Sequence, residues 1–153
     1  MDPIVPIEAF GGLYNTGCGD FEIIPNEVAA MTFSNQMPAV NTWYDENHSV
    51  VTTVPGVYEI SYHMRAKCNQ ECCEELQMAV TMDGDIIPGS AVTQYACHKN
   101  NFDIRHTVVA EVPKGAHLHC IVYGKKPAKL SLYDDTNLTL YVKKIADVTK
   151  TTR

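Results

Sequence analysis

The chain has 153 residues, 45% of them hydrophobic and 20% charged, which suits one domain with a core of its own. Its formal charge of −6 argues against nucleic-acid binding, which needs a basic patch. No apolar run approaches the roughly 20 residues of a membrane-spanning helix.

In chain order, the N-terminal stretch MDPIVPIEAF lacks the basic and long apolar regions of a signal peptide. That predicts a protein made in the cytosol, or one delivered without the usual export signal. Gly11-Gly12, Asn15 to Gly19 and Pro25-Asn26 read as turns. Trp43, Tyr44, Asp45 and Glu46 read as a loop that carries aromatic anchors of the kind used in recognition. After the Pro55-Gly56 turn, Tyr58, Ile60, Tyr62, Met64 and Ala66 alternate with Val57, Glu59, Ser61, His63 and Arg65, which predicts a half-buried strand. Leu76, Met78, Val80 and Met82 alternate with Glu75, Gln77, Ala79 and Thr81, and Asp83-Gly84 supplies a hairpin turn. Phe102, Ile104, His106, Val108, Ala110 and Val112 alternate with Asp103, Arg105, Thr107, Val109 and Glu111 up to a turn at Pro113 to Gly115. A last strand carries Leu138, Leu140 and Val142 on one side. Strands at this spacing, with no helical period, imply an all-β sandwich or jelly roll. The expected organisation is a single domain over 1–153, with an ordered core at about 7–145 and a polar, frayed tail at 146–153.

The stretch KGAHLHCIVYG places two histidines and a cysteine within four positions. On a strand His117 and His119 point to the same side, with Cα atoms about 6.6 Å apart, and they are candidate metal ligands. Cys120 points the other way with Leu118 and Val122, so it cannot join them. A jelly-roll metalloenzyme of the cupin type would also need a nearby carboxylate and a third histidine in a second motif, and neither is present. The alternative is an amphipathic strand with two polar residues on its wet face. No metal or other cofactor is expected. The cysteines are at 18, 68, 72, 73, 97 and 120. Cys68 and Cys72 with Cys97-His98 have spacing that zinc allows, but the adjacent pair Cys72-Cys73 suits a disulfide or a free thiol better. No motif brings a nucleophile, a base and an orienting group together, so no enzymatic activity is expected. His106, on the apolar side of its strand, reads as a satisfied core or interface histidine. Asn47-His48-Ser49 and Asn137-Leu138-Thr139 are glycosylation triplets only in a secretory setting.

Three stretches carry a family resemblance: AFGGLYN near the N-terminus, PGVYEISYHMRA in the middle and LTLYVKKI at the end. In that order they resemble the C-terminal domain of the collagen-like exosporium glycoproteins (BclA) of spore-forming bacilli. That domain lies within the complement-q and tumour-necrosis-factor-like superfamily. Gly56, Tyr58 and Tyr62, and the Pro113 to Gly115 turn, fit that superfamily. The resemblance implies a ten-stranded, two-sheet jelly roll assembled as a homotrimer. It implies that Thr107, Val109 and Tyr141 face a neighbouring subunit, with Arg105 and Glu111 nearer the rim. It also implies a disulfide from Cys72 or Cys73 to Cys97, leaving Cys68 and the spare cysteine for cross-linking. The chain carries no Gly-X-Y stalk, so it resembles the free-standing heads of an exosporium basal layer. The implied role is a structural protein of a bacterial spore surface, exosporium or coat, made in the mother-cell cytosol. Its partners would be itself and other spore-surface proteins. The alternative is a receptor- or ligand-binding head on a phage or cell surface, extracellular or on a virion.

Overall fold

The computed structural model of the chain describes residues 6–69, 74–97 and 100–148. Among them the backbone forms fourteen strands and no helix. The first sheet holds β1 (Phe10–Thr16), β2 (Gly19–Ile23), β4 (Asn35–Gln36), β7 (Gly56–Cys68), β11 (Asn101–Val112), β13 (Ala128–Leu132) and β14 (Thr136–Ala146). The second holds β3 (Ala29–Ala30), β5 (Thr42–Asp45), β6 (Ser49–Thr52), β8 (Glu74–Met82), β9 (Asp85–Ile86), β10 (Val92–Ala96) and β12 (His117–Gly124). Every pairing is antiparallel. The predicted jelly roll holds. The strand count exceeds ten partly because β3, β4 and β9 are two-residue pairs.

The longest strands organise each sheet. β7 pairs with β11 along one edge, from Gly56 to Lys67, and with β14 and then β13 along the other. In the second sheet β12 pairs with β8 along one edge and with β6 and then β3 along the other. Alternation then decides what is buried. Tyr58, Ile60, Tyr62, Met64 and Ala66 of β7 meet Leu76, Met78 and Val80 of β8 and Leu118, Cys120 and Val122 of β12 in one core cluster between the sheets. Burial of this apolar area is the main stabilising term. Two polar groups inside it are satisfied: the Tyr62 hydroxyl donates to the Ser90 carbonyl, and the Ser90 hydroxyl lies 3.2 Å from both the amide and the carbonyl of Val80. His106 is also satisfied, with Nε2 3.0 Å from the Gly89 carbonyl and its ring edge-on to Tyr62.

Turns at Asn26, Asp83-Gly84 and Gly115 are where the sequence places them, each with positive φ. Gly11-Gly12 is not a turn. Both residues are buried inside β1, and their lack of a side chain serves close packing. A Cβ on Gly12 would come 2.6 Å from the Met37 sulfur and 3.0 Å from the Leu140 carbonyl, and one on Gly11 would meet the Thr42 hydroxyl. Order also extends past residue 145: β14 runs to Ala146, and the Lys144 ammonium bonds the Asp147 carboxylate and, at 3.0 Å, the Ile7 carbonyl. Asn137 is fully buried, and its amide donates to the Gly17 and Tyr133 carbonyls while accepting from Asn15. It is a structural group, closed to glycosylation in the folded chain.

Candidate functional site

Two sheet faces point away from the core, and each gathers residues singled out from sequence. On the first sheet, register aligns three rows across β11, β7, β14 and β1. They run Val109–Glu59–Lys143–Phe10, Thr107–Ser61–Tyr141–Gly12 and Arg105–His63–Thr139–Tyr14. Arg105, Thr107, Val109, Glu111 and Tyr141 therefore share one outward face. Val109 keeps 55% of its surface exposed on β11, the strand at one edge of that face. The Tyr141 ring lies over Gly12, where a Cβ would come 3.2 Å from it, so the missing side chain lets an aromatic ring settle flat on the sheet. The rim is charged: Asp103 lies 3.0 Å from His63 Nε2 and 3.4 Å from Arg65 Nε, and the Arg65 guanidinium sits 5.0 Å from the centre of the Tyr133 ring.

On the second sheet, His117 and His119 do share the outer side of β12, as their spacing requires. They are not simply bathed in solvent. His117 Nδ1 lies 3.5 Å from Asp45 and 3.4 Å from the Ser49 hydroxyl, and the ring packs edge-on against Trp43. His119 packs edge-on against His48, and its Nε2 is buried with no hydrogen-bond partner. Burial holds the His119 ring below the usual imidazole range, and the neighbouring His48 and His117 push the same way; the Met31 backbone and Asp45 oppose them. Among the described residues, no three histidine, cysteine or acidic side chains are placed to hold a metal ion. His48 was missed from sequence because only the β5–β6 hairpin and the β6–β12 register bring it here.

The expected Trp43 to Glu46 loop needs correction. Trp43, Tyr44 and Asp45 lie in β5, and only Glu46 belongs to the turn. Alternation sends Trp43, 48% exposed, outward with Asp45, but turns Tyr44 inward. The Tyr44 hydroxyl donates to the Met37 carbonyl and accepts from the Gly12 amide, both at 2.8 Å. It is a brace between β5 and β1, unavailable to a ligand.

The cysteines divide by burial. Cys120 is packed in the core, as its alternation requires, and burial pushes its thiol far up from the usual range. Cys68, expected to cross-link, is fully buried at the end of β7 beside Leu130, and so cannot reach a neighbour in the folded chain. Among the described residues, Cys18, in the turn between β1 and β2, is the exposed free thiol. Cys97 is partly buried just after β10. Cys72, Cys73 and His98 lie outside the described residues. A thiol reagent added to the native protein should label Cys18 first. Cys68 and Cys120 should lag by a factor on the order of 10³ or more, since reaching them requires opening of the core. Timed peptide mapping reads this, and equal rates for Cys68 and Cys18 would contradict it.

Among the described residues, no helix is long and apolar enough to cross a membrane. No protein-family model and no curated protein sequence matches the chain. Solved structures do. The Eiger tumour necrosis factor of S. frugiperda superposes with a TM-score of 0.65 at 14% identity, over 96% of this chain and 97% of that one. The globular domain of zebrafish complement 1qA superposes with a TM-score of 0.61 at 12% identity, over 92% of this chain and 99% of that one. The chain has the tumour-necrosis-factor and complement-q jelly-roll fold. Identity this low shows the fold alone.

Proposed function

We propose that the chain is a non-enzymatic head that assembles as a homotrimer through the outer face of its first sheet. It would serve as a structural element of a bacterial spore surface layer, exosporium or coat. The observation that carries the assembly is Val109, exposed on the edge strand β11 of a four-strand face that also carries Thr107 and Tyr141. Closing three copies around an axis removes these side chains from water and hides the open edge of β11. Arg105 and Glu111 lie farther along β11 in opposite directions and supply charge at the rim. The resemblance of AFGGLYN, PGVYEISYHMRA and LTLYVKKI to exosporium heads supports the spore-surface role. Detecting the chain in the outer layer stripped from spores tests that role, and its absence there would overturn it.

A disulfide from Cys97 to Cys72 or Cys73 belongs to the same reading. Ala96 and Glu74 are paired across β10 and β8, and Cys97 and Cys73 are their covalent neighbours. Non-reducing peptide mapping should recover Cys97 joined to one of the pair. Cys18, exposed and free, and the spare member of the Cys72-Cys73 pair are the thiols left to link neighbouring proteins. A second reading, a ligand-binding head, is favoured by one observation: Trp43 stands exposed beside His117 and Asp45 on the second sheet. Binding to a glycan or protein array that Trp43→Ala abolishes would favour it.

A further inference from the structure

His119 lies under the meeting point of two lightly held elements. One is the strap around β3, which pairs with β12 only at Ala29 and Ala30 and continues through a 2.9 Å bond from the Met31 amide to the Cys120 carbonyl. The other is the tip of the β5–β6 hairpin, where Glu46 and Asn47 adopt positive φ and the His48 amide bonds the Asp45 carbonyl at 2.9 Å. The two join where the Phe33 amide donates to the Asn47 carbonyl at 3.1 Å and the Gln36 side-chain Nε2 donates to Asn47 Oδ1 at 2.6 Å. His119 touches both through the Met31 backbone and the His48 ring.

The groups around His119 leave an added proton poorly compensated. The turn contributes His48, β12 contributes His117, and β5 contributes Asp45, which already faces His117 Nδ1 at 3.5 Å. β8 brings uncharged Thr81, paired opposite His119, and β6 brings Ser49. Asp83, from the turn after β8, is engaged by the His117 amide at 2.9 Å. The Met31 backbone favours a protonated ring, but burial outweighs it, and the buried Nε2 of His119 has no hydrogen-bond partner.

We propose that His119, packed edge-on against His48, is a proton-operated latch on the outer face of the second sheet. Neutral, His119 lets the β3 strap and the hairpin tip lie closed on β12; protonated, it releases both. The ligand is the proton and the moving part is the outer face, away from the first-sheet face assigned to assembly, so latch and trimer stand or fall separately. The sign follows from linkage. A histidine held below its usual value of 6.5 takes up protons more readily once released. The closed state is therefore favoured above about pH 6.5 and loses ground as pH falls below it.

Hydrogen exchange of the whole chain, corrected for intrinsic rates and read at pH 7.5 and 5.0, tests the latch. Segments 29–36 and 42–50 should exchange severalfold faster at pH 5.0, while β7 and β14 keep their protection. In His119→Gln the acid loosening should disappear. Unchanged protection in the wild type, or the same loosening in His119→Gln, overturns the proposal. Should that variant fail to fold, NMR titration of the wild-type His119 ring decides instead. A midpoint below 6.5 that coincides with the loosening supports the latch, and a midpoint at or above 6.5 overturns it.

Discussion

Replacing Tyr62 by alanine is expected to lower the unfolding free energy by about 3–5 kcal/mol, the range for deleting a large buried aromatic side chain. The ring is 1% exposed at the centre of β7, in the cluster between the two sheets. Its hydroxyl also holds the Ser90 carbonyl, and Ser90 is fully buried against Val80. The alanine variant loses packing on both sides and unpins the segment between β9 and β10. Tyr62→Phe separates the two effects: it keeps the ring, leaves the Ser90 carbonyl without this partner, and should cost about 1–3 kcal/mol. Urea titrations of the three proteins read the difference. A cost below about 1 kcal/mol for the alanine variant would mean that the core does not close around β7 as described.

Val109→Asp is expected to leave the fold of the single chain intact and to dissociate the assembly. The side chain is more than half exposed, so a carboxylate there costs the isolated chain little. In a closed trimer the same carboxylate is withdrawn from water, with Glu59 its direct cross-strand partner. Each copy would carry a penalty of about 2–5 kcal/mol from desolvation and like-charge repulsion, and three copies contribute at one axis. The variant should run as a monomer that still unfolds cooperatively in urea. A Val109→Asp protein that keeps the wild-type assembly would place the contact on another face.

Alternation made the long strands legible. In β7 and the inward side of β12 every second residue is apolar, in β11 His106 alone interrupts the series, and the side chains sit where a period of two places them. Residues 19–52 gave no such signal, because β2 to β6 are two to five residues long, and the pairing that makes them strands comes from segments distant in sequence. Gly11-Gly12 was misread for a related reason: the pair marks a close approach of Met37, Thr42 and Tyr141, which local sequence does not display. Tyr44 looked like a loop aromatic until β5 gave it a parity. Cys68, left for cross-linking by the implied disulfide, continues the inward series of β7 and could have been read as buried. The histidine cluster was half legible. His117 and His119 share a face by spacing alone, whereas His48 and Asp45 reach them through hairpin geometry and strand register.

The central claim is assembly through the first sheet's outer face, and native mass spectrometry of the purified chain tests it most directly. The predicted result is a species at three times the 17.0 kDa chain mass, surviving reductant and lost in Val109→Asp. A wild-type chain that flies only as a monomer or a dimer at micromolar concentration would contradict it.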